Sequence, residues 1–103
     1  MNALRLLFVH GPSEDLWRAG FELAQAAAAL DVPLELAFAG PGLDLIAANS
    51  DCGRRFASLE LLGVDQVRVP SERVPNDSST LPVQELSKAQ WHHWLRAAAL
   101  QVW

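Results

Sequence analysis

Residues 4–15 read LRLLFVHGPSED: an apolar run, then a histidine, a glycine and a proline, then three polar residues. Leu4–Val9 reads as a buried strand, with His10-Gly11-Pro12 as the turn that ends it. Ser13 is then the expected N-cap of a helix, with Glu14 and Asp15 in its first turn meeting the positive end of the helix dipole. A strand that turns straight into a helix is the opening unit of an α/β chain, and the residues that follow repeat it.

The helix is expected over Leu16–Leu30 (LWRAGFELAQAAAAL), with Leu16, Ala19, Gly20, Leu23, Ala27 and Leu30 on the face that meets the sheet. Asp31-Val32-Pro33 breaks it, and Leu34–Ala39 (LELAFA) is a second strand. After the Gly40-Pro41-Gly42 loop come two short helical pieces, Leu43–Ala48 and Cys52–Leu62, separated by Asn49-Ser50-Asp51. Phe56, Leu59 and Leu62 have helical spacing, and Gly63 stands where a C-cap glycine belongs. Gln66–Val69 (QVRV) alternates as a third strand, ended by Pro70, and Ser71–Ser79 reads as a surface loop. Leu81–Leu86 is a fourth strand whose Pro82 suggests an edge or a strand entrance. Ser87 and Gln90 fit a capping box that opens a helix over Lys88–Ala97, and Ala99–Trp103 ends the chain as a fifth strand. The order β-α-β-α-α-β-β-α-β predicts a three-layer α/β/α single domain over residues 1–103, with a largely parallel five-stranded sheet.

Composition narrows the partners. The 103 residues suffice for one hydrophobic core, and half of them are apolar. Twelve acidic and eight basic side chains give a net charge of −4 without a basic stripe, so direct nucleic-acid binding is not expected. The longest apolar stretch, Leu23–Leu30, contains Gln25 and is far short of a membrane span, so no membrane partner is expected. One cysteine excludes an internal disulfide, and no signal peptide is visible in MNALRLLFVHGPSED; a cytoplasmic protein is the expectation.

Ligands of parallel α/β sheets bind at the carboxyl ends of the strands. That makes His10, Ser13, Gly40 and Ser71 the ligand-loop candidates. His10 has the chemistry of a proton carrier, but a polar residue that closes the sheet is the favoured reading; capping explains Ser13 and Asp15. Gly40-Pro41-Gly42 is too short for a dinucleotide fingerprint or a P-loop, and no lysine follows it, so no cofactor is expected. His92 and His93 are adjacent on a helix and lack a ligand at i+4, so no metal is expected.

Residues 51–56, DCGRRF, hold the one cysteine. With Asp51 as N-cap, Cys52 lies in a first helical turn near Arg54 and Arg55, where a thiolate gains stability. A cysteine without a nearby histidine base is weak evidence for catalysis, so Cys52 is a candidate and no more. Trp91 and Trp94 share one side of the last helix, with Leu95 beside Trp91. Together with Trp103 they favour an oligomeric interface over a core alone.

The stretches FASLELLGVDQVRV (56–69) and LPVQELSKAQWHHWLRAAALQVW (81–103) resemble the DsrE/DsrF-like family of sulfur-relay proteins, and most of all its DsrF and TusC branch. The first half agrees loosely, through a strand, a small-residue turn, an alanine-rich helix and a strand before Gly40. The resemblance implies a largely parallel sheet between helices and assembly into homo- or hetero-oligomers. It implies persulfide transfer between proteins, toward tRNA thiolation or within sulfur oxidation. Sulfur-carrying members hold a cysteine just after the third strand; here that place falls at Pro70, with Ser71 following. The resemblance therefore implies a non-catalytic subunit, partnered by cysteine-bearing DsrE/TusD-like and DsrH/TusB-like relatives. Two alternatives stand beside it: a persulfide carrier that uses a displaced Cys52, and a stand-alone homo-oligomeric small-molecule binder.

Overall fold

A computed structural model describes residues 3–47, 50–71, 80–96 and 100–103. Among these residues five strands, β1 (Leu4–Phe8), β2 (Leu34–Phe38), β3 (Val67–Pro70), β4 (Gln84–Leu86) and β5 (Leu100–Val102), form one sheet in the order β4-β3-β2-β1-β5. Every pairing is parallel, with Leu6 opposite Leu36, Leu36 opposite Val67, Val69 opposite Glu85 and Arg5 opposite Leu100. The helices are α1 (Leu16–Ala29), α2 (Asp51–Ala57) and α3 (Lys88–Leu95). Two tighter 3-10 segments, Gly40–Ile46 and Ser58–Leu62, flank α2. The result is the expected three-layer α/β/α arrangement, with the sheet wholly parallel. No helix among the described residues is long and apolar enough to cross a membrane.

Side chains alternate across a strand, so each strand feeds two cores. Leu6 and Phe8 of β1, Leu36 and Phe38 of β2, and Val67 and Val69 of β3 face α1 and α2. Phe56 of α2 is fully buried there, edge-on to Phe8, Phe38 and Phe21 at 5.3, 5.3 and 5.0 Å between ring centres. Leu7, Ala37 and Leu86 point the other way and meet Trp94 of α3. That second core is the smaller one, and among the described residues α3 supplies its cover.

The face of α1 differs from expectation. Trp17, Gly20, Phe21, Ala24, Ala27 and Ala28 are buried, whereas Leu16, Ala19 and Leu30 are exposed. Burying two aromatic side chains removes more apolar surface from water than burying two leucines, and rotates the helix by about one position. Gly20 is in the buried face because Phe8 and Trp103 pack against it; a Cβ there would lie 2.7 Å from Phe8 and 2.8 Å from Trp103.

The helix starts also differ. Ser13 caps nothing: Glu14 N–H donates to Gly11 O at 3.2 Å, which makes Gly11–Glu14 a β-turn with Pro12 at its preferred second position. Asp15 is the N-cap of α1, without a side-chain bond, and neither Glu14 nor Asp15 lies in the first turn. In α2 the cap is Ser50, whose Oγ accepts from Gly53 N–H at 2.8 Å; Asp51 lies in the first turn and pairs with Arg54. The expected Cys52–Leu62 helix is α2 followed by a 3-10 turn, closed at Gly63 with φ 90° as anticipated. The piece expected at Leu43–Ala48 begins three residues earlier and is 3-10, ending at Ile46. β4 is shorter than expected and leaves Pro82, which has no N–H for a ladder, outside it. The capping box of α3 is complete, with Gln90 N–H on Ser87 Oγ and Ser87 N–H on Gln90 Oε1. Most of the Ser71–Ser79 loop, and Ala97 and Ala99, lie outside the described residues.

Candidate functional site

The carboxyl ends of β2, β3 and β4 open into a cleft of about 280 Å³ beneath α3. Ala39 and Gly40 enter it from the end of β2, and Pro70 and Ser71 from the end of β3. Leu86 comes from β4, while Lys88, Trp91 and His92 come from α3. The local sequence explains the opening. Gly40 adopts φ 55°, which lets the chain leave β2 sharply into the 3-10 segment. Ser71 N–H donates to Leu86 O at 2.9 Å, so the chain stays beside β4 for one residue past β3. The capping box fixes the start of α3, and Lys88 and His92, four apart, project from the same side.

Of the ligand-loop candidates, Gly40 and Ser71 meet in this cleft and are joined there by Trp91. His10 and Ser13 do not line it. His10 closes β1: its N–H donates to Trp103 O at 3.3 Å, and its Nε2 lies 3.8 Å from Glu14. Its Nδ1 has no hydrogen-bond partner among the described residues. Ser13 is exposed in the turn before α1.

The cleft lining pairs an aromatic wall and a hydroxyl with an ammonium and an imidazole. It contains neither thiol nor carboxylate among the described residues, so no histidine–carboxylate couple or thiol–histidine pair is assembled there. The arrangement suits holding a small polar or anionic group rather than activating a nucleophile.

Cys52 lies elsewhere, half-buried against the larger core on the α1 and α2 side. Burial pushes its thiol above its ordinary value; Arg55 and Arg18 pull it down less, and Asp51 pushes it up. The helix start and the arginines that would favour a thiolate at this candidate are thus outweighed by desolvation. No group of three histidine, cysteine, aspartate or glutamate side chains among the described residues could hold a metal.

The three tryptophans expected to cluster are divided by the sheet. Trp94 is 4 % exposed in the core under α3, with Trp91 stacked on it at 6.0 Å between ring centres. Trp103 packs on the opposite face, against Gly20. A chain-terminal residue that follows β5 has the parity of Phe8, which sequence proximity to Trp94 does not reveal.

Sequence reading missed a row of charges across the α3 face of the sheet. Arg5 of β1 donates to Glu35 of β2 at 3.0 Å, and Arg68 of β3 lies 3.5 Å from the same carboxylate. The signal was there: LRLLF, LELAF and VRVP each carry one charge inside an apolar strand. A sheet covered on both faces forces such charges to pair. No protein-family model matches the chain, and no curated protein matches it either.

Proposed function

We propose that the protein is a non-catalytic, DsrF/TusC-like subunit of a cytoplasmic sulfur-relay complex. It binds cysteine-bearing relatives of the DsrE/TusD and DsrH/TusB kinds and shapes the site where persulfide sulfur is passed. The observation that carries this reading is Pro70: it ends β3, where the resemblance puts the sulfur-carrying cysteine, and it lines the cleft at the carboxyl edge. A cleft of that position without a thiol suits a subunit that lends a wall to a neighbour's cysteine. The raised pKa of Cys52 favours this reading over a displaced persulfide carrier, since the thiolate is the sulfur nucleophile.

Native mass spectrometry of the tagged protein, purified gently without reductant from its own cells, tests the proposal. A mixed assembly with small cysteine-bearing relatives is the expected result, and a homo-oligomer or monomer alone overturns it. The second reading, a stand-alone small-molecule binder, is favoured by the basic pair Lys88 and His92 beside Trp91 in the same cleft.

A further inference from the structure

The other flank of α3 bounds a second cavity, about 370 Å³, over β1, β3 and β4. Two members of the row of charges, Arg5 and Arg68, line it. Arg5, Glu35 and Arg68 have side chains 25 %, 16 % and 17 % exposed, and the one carboxylate is shared by both guanidiniums. Their positions are locked. Arg5 Nη1 donates to Trp94 O at 2.7 Å, and its guanidinium lies 5.1 Å from the centre of the Trp94 ring. Trp94 Nε1 donates to Glu35 at 3.4 Å, and Arg68 donates to the side-chain oxygen of Gln84. The remaining walls are apolar at Leu86 and Ala89 and polar at Gln90 and His93.

The hydrogen bonds of this row are largely made, but its charges do not cancel. Two guanidiniums that stay protonated face one carboxylate, which leaves one positive charge in a half-buried groove of a protein whose net charge is −4. Glu85, the acidic residue nearest in β4, pairs with Val69 and so faces the other side of the sheet. Among the described residues, Glu35 alone forms ion pairs with Arg5 and Arg68. Water screens a charge in such a site poorly, so an anion that enters gains more there than on the open surface.

We propose that this groove binds a small monocarboxylate, its carboxylate between Arg5 and Arg68 and its apolar body along Leu86, Ala89 and the Trp94 ring. One carboxylate supplies the single negative charge that the row lacks. A phosphate monoester, with a charge of about −1.5 to −2 at neutral pH, overshoots it. Arg68 also donates through Nη2 to Gln66 Oε1, so among the described residues Arg5 Nη2 and Arg68 Nε are the guanidinium nitrogens left to meet a carboxylate, while the aromatic and aliphatic walls match an apolar remainder. The site is separate in chemistry from the carboxyl-edge cleft, although Leu86 lines both, and it stands whether or not the protein serves a sulfur relay.

A nitrogen-15 NMR titration of the whole chain tests it, with benzoate, its uncharged isostere benzamide and inorganic phosphate as probes. Benzoate is expected to shift the Nε–H signals of Arg5 and Arg68 and the Nε1–H of Trp94 saturably, leaving the exposed Arg18 and Arg54 unmoved. Benzamide should leave all of them in place, and phosphate should bind more weakly than benzoate. Arg68→Gln removes the excess charge and should weaken benzoate roughly tenfold or more, the loss of one charge-assisted bond. Gln90→Ala, at an exposed rim position that also caps α3, should weaken it less than Arg68→Gln does. Equal shifts from benzamide, equal shifts at Arg54, phosphate binding tighter than benzoate, or no saturable shift in the wild type would each overturn the proposal.

Discussion

Asp31 and Gly63 perform the same backbone task. Each is the left-handed residue that ends a helical segment, at φ 57° and 90°. Val32 N–H reaches back to Ala27 O at 2.9 Å, as Val64 N–H reaches Leu59 O at 3.1 Å. Glycine adopts this conformation freely, whereas an aspartate pays in sterics and also brings a negative charge to the negative end of α1. Asp31→Gly should therefore raise stability by about 0.5–1 kcal/mol in a denaturant titration, and a lower midpoint would refute that account. Cys52 gives a second test. Because burial raises its pKa above the ordinary 9.0, the folded chain keeps the thiol proton at a pH where the unfolded chain releases it. The linked stability is complete below the unfolded value and is lost as pH rises through the folded one. Iodoacetamide should accordingly label the native thiol more slowly than the denatured one at neutral pH, and the wild type should lose more stability than Cys52→Ala as pH climbs past 9.0. Equal labelling rates would contradict the role given to burial.

Elements were legible where local rules act without competition. Ser87 and Gln90 announce α3, and both reciprocal bonds form. Removing the hydroxyl by Ser87→Ala should cost about 1 kcal/mol, and adding Gln90→Ala should cost less than the sum, because the two bonds support each other. Full additivity in a double-mutant cycle would mean that they act independently. The start of α1 was misread because Gly11–Glu14 offered two local solutions, a cap and a β-turn, and Pro12 favours the turn. The face of α1 was misread because the period fixes spacing but not phase; tertiary packing of Trp17 and Phe21 set the phase. β4 has three residues in its ladder, too few for alternation to separate it from the loop before it.

For the molecule as a whole, the alternation of strands and helices announced the layers, while the order β4-β3-β2-β1-β5 was hidden, since no local pattern states which strand β5 joins. The carboxyl-edge cleft followed from the layer rule through Gly40 and Ser71, but the arginine groove needed strand neighbours to be known before Arg5, Glu35 and Arg68 could be placed side by side. The core concentrates on Phe56, fully buried among Phe8, Phe21, Phe38 and Trp17. Phe56→Ala should cost about 3–5 kcal/mol, a large part of the stability of a domain this small, with loss of near-ultraviolet circular dichroism before any loss of helix signal; a change under about 1 kcal/mol would show that the cluster can collapse around the gap. The parallel pairing of β1 with β5 has a mechanical consequence. Force applied at residue 3 and at Trp103 drags these two neighbouring strands in opposite directions along their length. The load falls at once on the whole β1–β5 ladder and on the bonds from Trp103 N–H to Leu7 O, 2.7 Å, and from Val9 N–H to Trp103 O, 2.9 Å. Sheared together rather than unzipped one by one, these bonds make the pulled molecule yield abruptly, at a higher force than if the same strands were peeled from one end.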